Sequence, residues 1–551
     1  MSTTREDLIT AIRESPEDDN LRLICADWFE EQGGEENIAR AEFIRLQIAH
    51  ANLQPDDPRH AEMEASEMRM LKRHGPTWCG SHFAFKKCRF RRGFIEYVHI
   101  HLNHFLHHRR QLMALEPVRD ISLTGWWRAK DHLVERVAQC AEWQYVDGLR
   151  IHHQGPHKDP RSNVLTLLES PHLTELRKLR MTQVIFDKDA RQRFERLPVL
   201  RHVEELRFPT LDILMAKPGN WFSDGGLEFA EQWSELTSLT LPAYLHIELL
   251  QQFTQMPFWK RLTEVNLQLP NDEANSLPLL RDSLPDSVRR FSMSAPFSPS
   301  NYLEAESFFE RLAQIPLQTL QLEYFPINES CLRRLLDDQS KCRLKELWLD
   351  GYDLKKNHLK ILAESRGSQS LRSLNIAGAL RIASEDFHLL FSSERLSSLT
   401  HLDVSSTQLG LEGATSLAKA PGWTRLRSLG ISSINVDSEG LLTLLNSPNL
   451  QNVAWLSFCE GGFQSDVSLD FTTDIADQIT RLPNLACLIL QLRHCGKEQL
   501  RILNEAPNPV WLIMDCWNSN DEETYEMIRQ PNWPAQLDVA MKYWEHVIWK
   551  K

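Results

Sequence analysis

The chain repeats one hexapeptide pattern as LQTLQL (317–322), LKELWL (344–349), LRSLNI (371–376), LTHLDV (399–404), LRSLGI (426–431) and VAWLSF (453–458). Apolar residues occupy the first, fourth and sixth positions of each copy. The copies begin 27, 27, 28, 27 and 27 residues apart. A constant period of this length indicates a repeat architecture in which each unit packs against the next.

The same pattern extends in both directions from this core. Further copies begin at residues 118, 203, 236, 262 and 288, and LACLIL follows at 485. The residues between copies have helical periodicity, as in CLRRLLDDQ from Cys331, and a proline often follows. Each unit is therefore predicted to be a strand, a helix and a loop that leads back to the next strand. Stacking such units buries a core that no single unit can bury.

This pattern resembles leucine-rich repeats, with a helical outer side like that of the ribonuclease-inhibitor class. The resemblance covers about residues 118–535, and LDVSSTQLGLEGATSLA (402–418) carries it most fully. The family usually places Asn or Cys five residues after the second leucine, where its side chain ties neighbouring turns together. This chain departs from that rule, and we expect apolar packing to replace the polar ladder at Phe325, Tyr352, Ala379, Thr407 and Ile434.

The first 80 residues differ from the repeats. They have helical patterning and carry 9 basic and 17 acidic residues, a net charge of −8. They resemble the repeat-companion domain of planctomycete bacteria, which implies an accessory helical module of no known chemistry. The matching residues are Arg22, Ala26, Asp27, Trp28, Glu30, Glu31, Ala41, Glu42, Phe43, Ile44, Arg45, Leu46, Gln47 and Trp78.

We therefore expect an α/β leucine-rich-repeat solenoid with a small N-terminal all-helical domain. Its segments are a helical repeat-companion domain (1–80), an N-terminal cap (81–117), the repeats (118–535) and a C-terminal cap (536–551). Within the cap, FRRGFIEYVHI is predicted to be one strand that enters the first repeat.

Composition excludes several classes of protein. Of 551 residues, 42% are hydrophobic and 25% are charged, which excludes a disordered or fibrous chain. The net charge of −13 argues against a basic nucleic-acid coat. Ten scattered cysteines form no C-x-x-C pair, which favours reduced thiols in the cytoplasm. We expect no secretion signal, no membrane span and no membrane partner.

Strand alternation predicts which side chains line the concave face of the repeats. This face is expected to change from basic (Arg150, His152, Arg207, Arg290) through acidic to apolar and aromatic. Exposed aromatics on such a face indicate a protein contact, with Trp348 the clearest candidate. Alternatively, the C-terminal cap buries Trp511 and Ile513. The predicted partner-binding residues are Glu323, Glu346, Trp348, Asp350, Asp403, Trp455, Ile489 and Trp511.

Residues 81–131 are basic, with ten Lys/Arg and four Asp/Glu. This segment either binds a phosphate backbone or docks against the acidic helical module, and we favour docking. Five histidines at 99, 101, 104, 107 and 108 have spacings that suit a metal, but nothing completes a ligand set, so no metal is expected. The possible phosphate-binding residues are Lys86, Lys87, Arg89, Arg91, Arg92, Arg109 and Arg110.

No enzyme motif accompanies the repeats, so neither catalytic residues nor a cofactor are predicted. Asp27, Glu42 and Arg45 are interpreted as a buried ion network that locks helices, and Trp28 and Phe43 as core aromatics. The sequence favours non-catalytic protein recognition by a cytoplasmic scaffold, adaptor or sensor. Alternatives are a nucleic-acid-binding accessory protein that uses residues 86–110, and a regulated substrate or inhibitor subunit in a bacterial defence or signalling complex.

Overall fold

A computed structural model describes residues 4–54, 57, 59–80, 88–126, 129–152, 163–182, 188–208, 232–241, 247–269, 276–294, 302–325, 327–336, 341–350, 354–432, 434–459, 470–492, 497–505 and 511–516. Its described residues form two compact units. Unit 1 contains residues up to 51 and from 77 to 293, and unit 2 contains residues 52–76 and those from 294 onward. The predicted C-terminal cap at 536–551 lies outside the described residues.

Unit 1 begins with three helices: α1 (Arg5–Glu14), α2 (Asp19–Gln32) and α3 (Glu35–Ala51). Thr4 and Asp7 begin α1 with a capping box, in which each side chain accepts the other residue's backbone N–H, at 3.3 and 2.9 Å. These helices bury an apolar cluster of Leu8, Ile9, Ile12, Cys25, Ala26, Phe29, Ala41, Ile44, Ile48 and Phe94. A fourth helix, α4 (His60–Cys79), belongs to unit 2 up to Pro76.

The repeats of unit 1 alternate strands with helices. Neighbouring strands from β2 to β8 pair in parallel, and β9 lies next to β8. Two of these strands, at 148 and 178, are additional to the pattern copies found in the sequence. The strands are β1 (Cys88–Arg91), β2 (Phe94–His101), β3 (Asp120–Thr124), β4 (Gly148–His152), β5 (Lys178–Thr182), β6 (Glu205–Arg207), β7 (Ser238–Thr240), β8 (Glu264–Gln268) and β9 (Arg290–Ser294). The helices are α5 (Leu102–Leu115), α6 (Asp131–Ala138), α7 (Asn163–Leu168), α8 (Lys188–Glu195), α9 (Ile247–Gln255) and α10 (Ser276–Ser283).

The single strand predicted for FRRGFIEYVHI is wrong. This stretch turns back on itself, so that β1 and β2 form an antiparallel hairpin. Arg92 and Gly93 make the turn with φ of 49° and 87°, the backbone conformation that two-residue hairpin turns require. The turn lies against α3, where the Gly93 N–H donates to Gln47 Oε1 at 2.7 Å.

Unit 2 repeats the same strand and helix arrangement, and β10 to β17 pair in parallel with their sequence neighbours. Its strands are β10 (Thr319–Glu323), β11 (Glu346–Asp350), β12 (Ser373–Asn375), β13 (His401–Asp403), β14 (Ser428–Gly430), β15 (Trp455–Cys459), β16 (Cys487–Leu492) and β17 (Trp511–Cys516). Its helices are α11 (Tyr302–Gln314), α12 (Glu329–Leu336), α13 (Lys356–Glu364), α14 (Phe387–Phe391), α15 (Gly410–Ala418), α16 (Ser438–Leu445), α17 (Thr473–Thr480) and α18 (Lys497–Asn504).

The register follows the sequence period. Leu320, Leu347, Leu374, Leu402 and Leu429 pair with one another from strand to strand, and each is fully buried. The fold is therefore a leucine-rich-repeat solenoid.

Apolar residues occupy most positions where the polar ladder is missing. Phe325, Ala379 and Ile434 are buried there, and Thr407 is buried with its hydroxyl donating to the Val404 carbonyl at 2.7 Å. Tyr352 lies outside the described residues. Apolar packing thus replaces the ladder, as the sequence predicts.

Candidate functional site

Alternate residues of the unit 2 strands form one continuous surface, which we call the unit 2 strand face. The leucines that alternate with these residues along each strand are buried on the opposite, helical side. Two rows cross this face in register. The first row is Glu346, Ser373, His401, Ser428, Trp455, Cys487 and Trp511. The second row is Trp348, Asn375, Asp403, Gly430, Ser457, Ile489 and Ile513.

All eight predicted partner-binding residues lie on these rows or beside them, because Glu323 pairs with Asp350 in register next to the second row. Neighbouring strands are about 4.8 Å apart, so Trp348 and Trp455 are separated by about 19 Å along the face. Asp350 and Trp511 are placed by backbone register alone. The structure thus brings residues from distant parts of the sequence onto one surface.

The expectation that the aromatic and aliphatic residues of this face are exposed is wrong. Trp348, Trp455 and Ile489 are only 8%, 5% and 2% exposed. Glu323 and Glu346, near the β10 end, are half-buried and remain accessible. The face therefore has an accessible acidic end and a covered aromatic end.

Asp403 holds the backbone rather than facing solvent. One carboxylate oxygen accepts the Ser405 N–H at 2.8 Å, and the other accepts from Asn375 Nδ2 at 3.3 Å. A similar side-chain to backbone hydrogen bond joins the next repeat, where Ser405 Oγ accepts the Ser432 N–H at 3.1 Å. Buried polar atoms need such partners, so the second row stabilises the strand ends.

The residues that cover Trp455 include part of α4, a helix distant in sequence that belongs to unit 2 up to Pro76. Trp455 Nε1 donates a hydrogen bond to the Glu64 carboxylate of α4. Burial lowers the pKa of Arg427, while the nearby carboxylates of Glu64 and Asp57 oppose that shift. Burial raises the pKa of the Cys487 thiol, and the charge of Glu64 adds to the effect. Glu64 therefore contacts Trp455 of β15, and its charge acts on Arg427 and Cys487 of the neighbouring repeats.

His401 occupies the middle of the first row. It lines a small cavity together with Trp348, Asn375, Asp403 and Ser428. Its Nδ1 is hydrogen-bonded to Thr400 Oγ1 at 2.8 Å. Burial and the charge of Arg427 lower the pKa of His401 to about 4, so the imidazole is neutral at pH 7.

We expect His401 to make the stability of unit 2 depend on pH. The pKa of His401 in the folded chain, about 4, is below the ordinary value of 6.5. The neutral imidazole's contribution to the free energy of unfolding is therefore complete above pH 6.5 and is lost as the pH falls toward 4. At pH 5 the loss is about 1–2 kcal/mol. Urea unfolding at pH 7.5 and 5 should show a smaller pH dependence for His401→Gln than for wild type. The exposed His388→Gln serves as control, and equal losses in all three proteins would contradict this assignment.

Two of the basic residues predicted for the repeat face, Arg150 and Arg207, are paired with carboxylates in unit 1. Arg180 binds Glu205 through two hydrogen bonds of 2.7 Å, and Arg207 binds the same carboxylate at 2.6 Å. Burial raises the pKa of Glu205, but these two arginines lower it, to about 2. Arg150 lies 3.3 Å from Asp120. Charges that are paired in this way are less available to a phosphate.

The basic segment docks mainly within unit 1, which agrees with the docking interpretation. Arg91 and Arg92 form ion pairs with Glu17 at 3.3 and 2.9 Å, and Arg92 also lies 3.2 Å from Asp19. Arg109 pairs with Glu142 at 3.1 Å, and Arg89 lies 4.3 Å above the Tyr97 ring. Arg110 is exposed, whereas Lys86 and Lys87 lie outside the described residues.

The histidines of this region do not assemble a metal site in the described part of the chain, where no group of three or more possible ligands occurs. His99 bonds the Ser122 hydroxyl at 3.0 Å, His101 caps α5, and the rings of His104 and His108 lie 4.3 Å apart. These contacts use the side chains in local structure.

The ion network predicted for Asp27, Glu42 and Arg45 forms only in part, because Arg45 pairs with Asp27 and Glu30, and it is not buried. Arg45 contacts Asp27 at 2.7 Å and Glu30 at 2.6 Å, and all three side chains are substantially exposed, as is Glu42. Phe43 is a core aromatic as predicted, whereas Trp28 is only partly buried.

Comparisons with known proteins find similar solved structures but no matching family. No protein-family model matches the chain, and no curated protein matches it. Among solved structures, a chain of the yeast Rad7–Elc1 complex is similar, with 13% sequence identity and a TM-score of 0.40. The match covers 93% of this chain and 98% of the yeast chain. An internalin (InlF) of Listeria monocytogenes is similar at 14% identity and a TM-score of 0.32, covering 63% of this chain and 87% of that chain.

Three residues of the candidate site were missed by the sequence analysis: Glu64, Arg427 and Cys487. Cys487 follows directly from the strand register, whereas Arg427 immediately precedes β14 and is not part of the register. Glu64 is signalled only indirectly, because Ala61, Ala65, Met68 and Leu71 recur at helical spacing and predict a buried helix face beside it. Periodicity of this kind predicts burial without naming the surface that covers the helix.

Proposed function

We propose that this protein is a non-catalytic recognition scaffold that binds a protein partner on the unit 2 strand face. The observation that supports this proposal is the register of β10 to β17. It aligns acidic, aromatic and aliphatic side chains from eight repeats into one continuous surface. Repeat arrays present such extended surfaces to macromolecules, and tryptophan is enriched at the energetic centres of interfaces.

The chemistry of the described residues favours recognition over catalysis. His401 and Asp403 are the histidine and carboxylate nearest to a catalytic pair on this face. His401 Nδ1 is bonded to Thr400, and both Asp403 oxygens are engaged in backbone and side-chain support. Neither group is free to activate a nucleophile in this arrangement. The absence of a cofactor stays a prediction.

The alternative of nucleic-acid binding gains little support, because Arg91, Arg92 and Arg109 already contact carboxylates. A role as a regulated substrate or inhibitor subunit, and the assignment of residues 1–80 to the repeat-companion family, stay predictions, as does the cytoplasmic location. Among the described helices, none is both long and apolar enough to cross a membrane.

A pull-down from lysate of the source cells tests the proposed function. Tagged protein is incubated at about 0.5 M salt, where phosphate-backbone contacts are weak. We expect wild type to retain a protein that the variant Glu323→Lys/Glu346→Lys loses by about tenfold or more, because both carboxylates lie at the accessible end of the face. The variant Trp348→Ala/Trp455→Ala should also lose it, provided that it folds.

The matched control reverses two exposed charges on the helical side, Glu364→Lys/Glu394→Lys. This variant should retain the partner as wild type does. Equal retention by the face variant and the control would overturn recognition at this face. Nucleic acid retained only at low salt would favour the basic segment instead.

A further inference from the structure

Residues 52–76 combine two features in unit 2: a buried apolar stripe and a strongly acidic first half. Ala61, Ala65, Met68 and Leu71 form the stripe, and each is at most 5% exposed. Residues 56–67 hold five carboxylates and a single basic residue, Arg59. The helical part of the segment, residues 60–76, is therefore amphipathic, with small residues at i and i+4, carboxylates in its first half and the basic residues Arg69, Lys72 and Arg73 in its second half.

The unit 2 strand face offers complementary groups to this helix. The Trp455 indole N–H donates to the Glu64 carboxylate, and the Arg427 guanidinium interacts with the charges of Glu64 and Asp57. Cys487, the neighbour of Trp455 in the first row, is fully buried and also interacts with the Glu64 charge.

Two properties distinguish this contact from ordinary core packing. The contact places a carboxylate against a desolvated tryptophan and arginine, and desolvation of charges offsets much of their attraction. In addition, Pro76 lies inside α4, where it lacks the N–H that would bond to the Lys72 carbonyl. Pro76 therefore interrupts the helical hydrogen bonding at the residue where the unit 2 segment ends. Such a segment is suited to release.

We propose that the aromatic end of the unit 2 strand face is a binding site for an amphipathic helix that presents a carboxylate, and that residues 60–76 occupy this site within the same chain. This inference rests on the proposed function, since it assigns the chemistry of the partner and its regulation. A partner helix with a carboxylate beside small residues competes for Trp455 and Arg427. Binding therefore requires that the chain's own helix leaves the face.

The reactivity of Cys487 reports whether the helix covers the face. Full-length wild type is treated with iodoacetamide under native conditions, and each cysteine is followed by peptide mass spectrometry. In Ala65→Arg, a long charged side chain replaces a residue with no exposed surface, so we expect Cys487 to react about tenfold faster or more. Glu62→Arg places the same side chain on the exposed side of α4 and should match wild type. Cys331, buried in α12, should stay protected throughout.

Binding in trans tests the site directly with a defined probe, a fluorescein-labelled peptide of residues 52–76. We expect Ala65→Arg to bind this peptide about tenfold more tightly than wild type or Glu62→Arg, because its own helix no longer competes. Adding Trp455→Ala to Ala65→Arg should remove the gain. Unchanged Cys487 reactivity together with equal peptide affinities would overturn the proposal.

A folding defect does not leave the question undecided. If Cys331 also becomes reactive in Ala65→Arg, that variant is misfolded, and the test is repeated with Glu64→Ala. This variant removes only the carboxylate that Trp455 contacts. No change in Cys487 reactivity or peptide affinity in that variant would likewise overturn self-occupancy. Neither measurement needs the natural partner, so a failure here is distinguishable from a failure of the pull-down.

Discussion

Replacing Glu116 by alanine is expected to lower the free energy of unfolding of unit 1 by about 3–5 kcal/mol. The Glu116 carboxylate, which is 3% exposed, accepts from Arg40 at 3.0 Å, from Arg5 at 3.0 Å and from the Ile95 N–H at 2.8 Å. Its removal leaves the buried Arg40 guanidinium without its carboxylate. The result is measured by urea unfolding followed by circular dichroism.

The control for this prediction is Glu30→Ala, which removes an exposed carboxylate that Arg45 contacts at 2.6 Å. An exposed ion pair contributes less than about 1 kcal/mol. The double variant Arg40→Met/Glu116→Ala should be more stable than Glu116→Ala, because the unpaired charge is gone. Similar losses for Glu116→Ala and Glu30→Ala would show that burial does not govern this contact.

Gly93→Ala should destabilise unit 1 by about 2–4 kcal/mol, the second-largest effect expected. Gly93 has a φ of 87°, and an added Cβ would lie 2.3 Å from Ile44 Cγ1 and 2.5 Å from Ile44 Cα. Backbone strain and steric overlap with α3 therefore add together. The measurement is the same urea unfolding.

Gly34→Ala separates these two causes. Gly34 has nearly the same φ, 86°, but nothing lies within 4 Å of the added Cβ. It should cost about 1 kcal/mol, the strain alone. If the two alanine variants lose equal stability, the close approach of the hairpin to Ile44 contributes nothing.

The repeat fold was predictable because its signal is redundant. A spacing of 27 residues recurs many times, and in-register pairs such as Leu347 and Leu374 follow from it directly. The hairpin at Arg92 and Gly93 was not predicted, since the aromatic and β-branched residues of FRRGFIEYVHI favour a strand on both sides of the turn. Only the dipeptide Arg92-Gly93 signals the turn, and glycine at one position is weak support for a reversal of direction.

The candidate site was predictable in position but not in burial. Strand alternation placed Trp348, Asp403 and Trp455 on one face, which the register confirms. Alternation describes one strand at a time, so it cannot indicate that Glu64 lies on Trp455. The same limit explains why Asp403 was interpreted as a recognition residue, although its oxygens hold Ser405 and Asn375.

The hydrogen bond between Glu64 and Trp455 joins residues 391 positions apart. A ribosome adds about 5–20 residues per second, so about 20–80 s separate the synthesis of these two residues. During this time each new strand finds its neighbour within one repeat, whereas Glu64 has no Trp455 to accept from. Helix α4 is thus among the first elements to be synthesised, and its contact with Trp455 is among the last that can form.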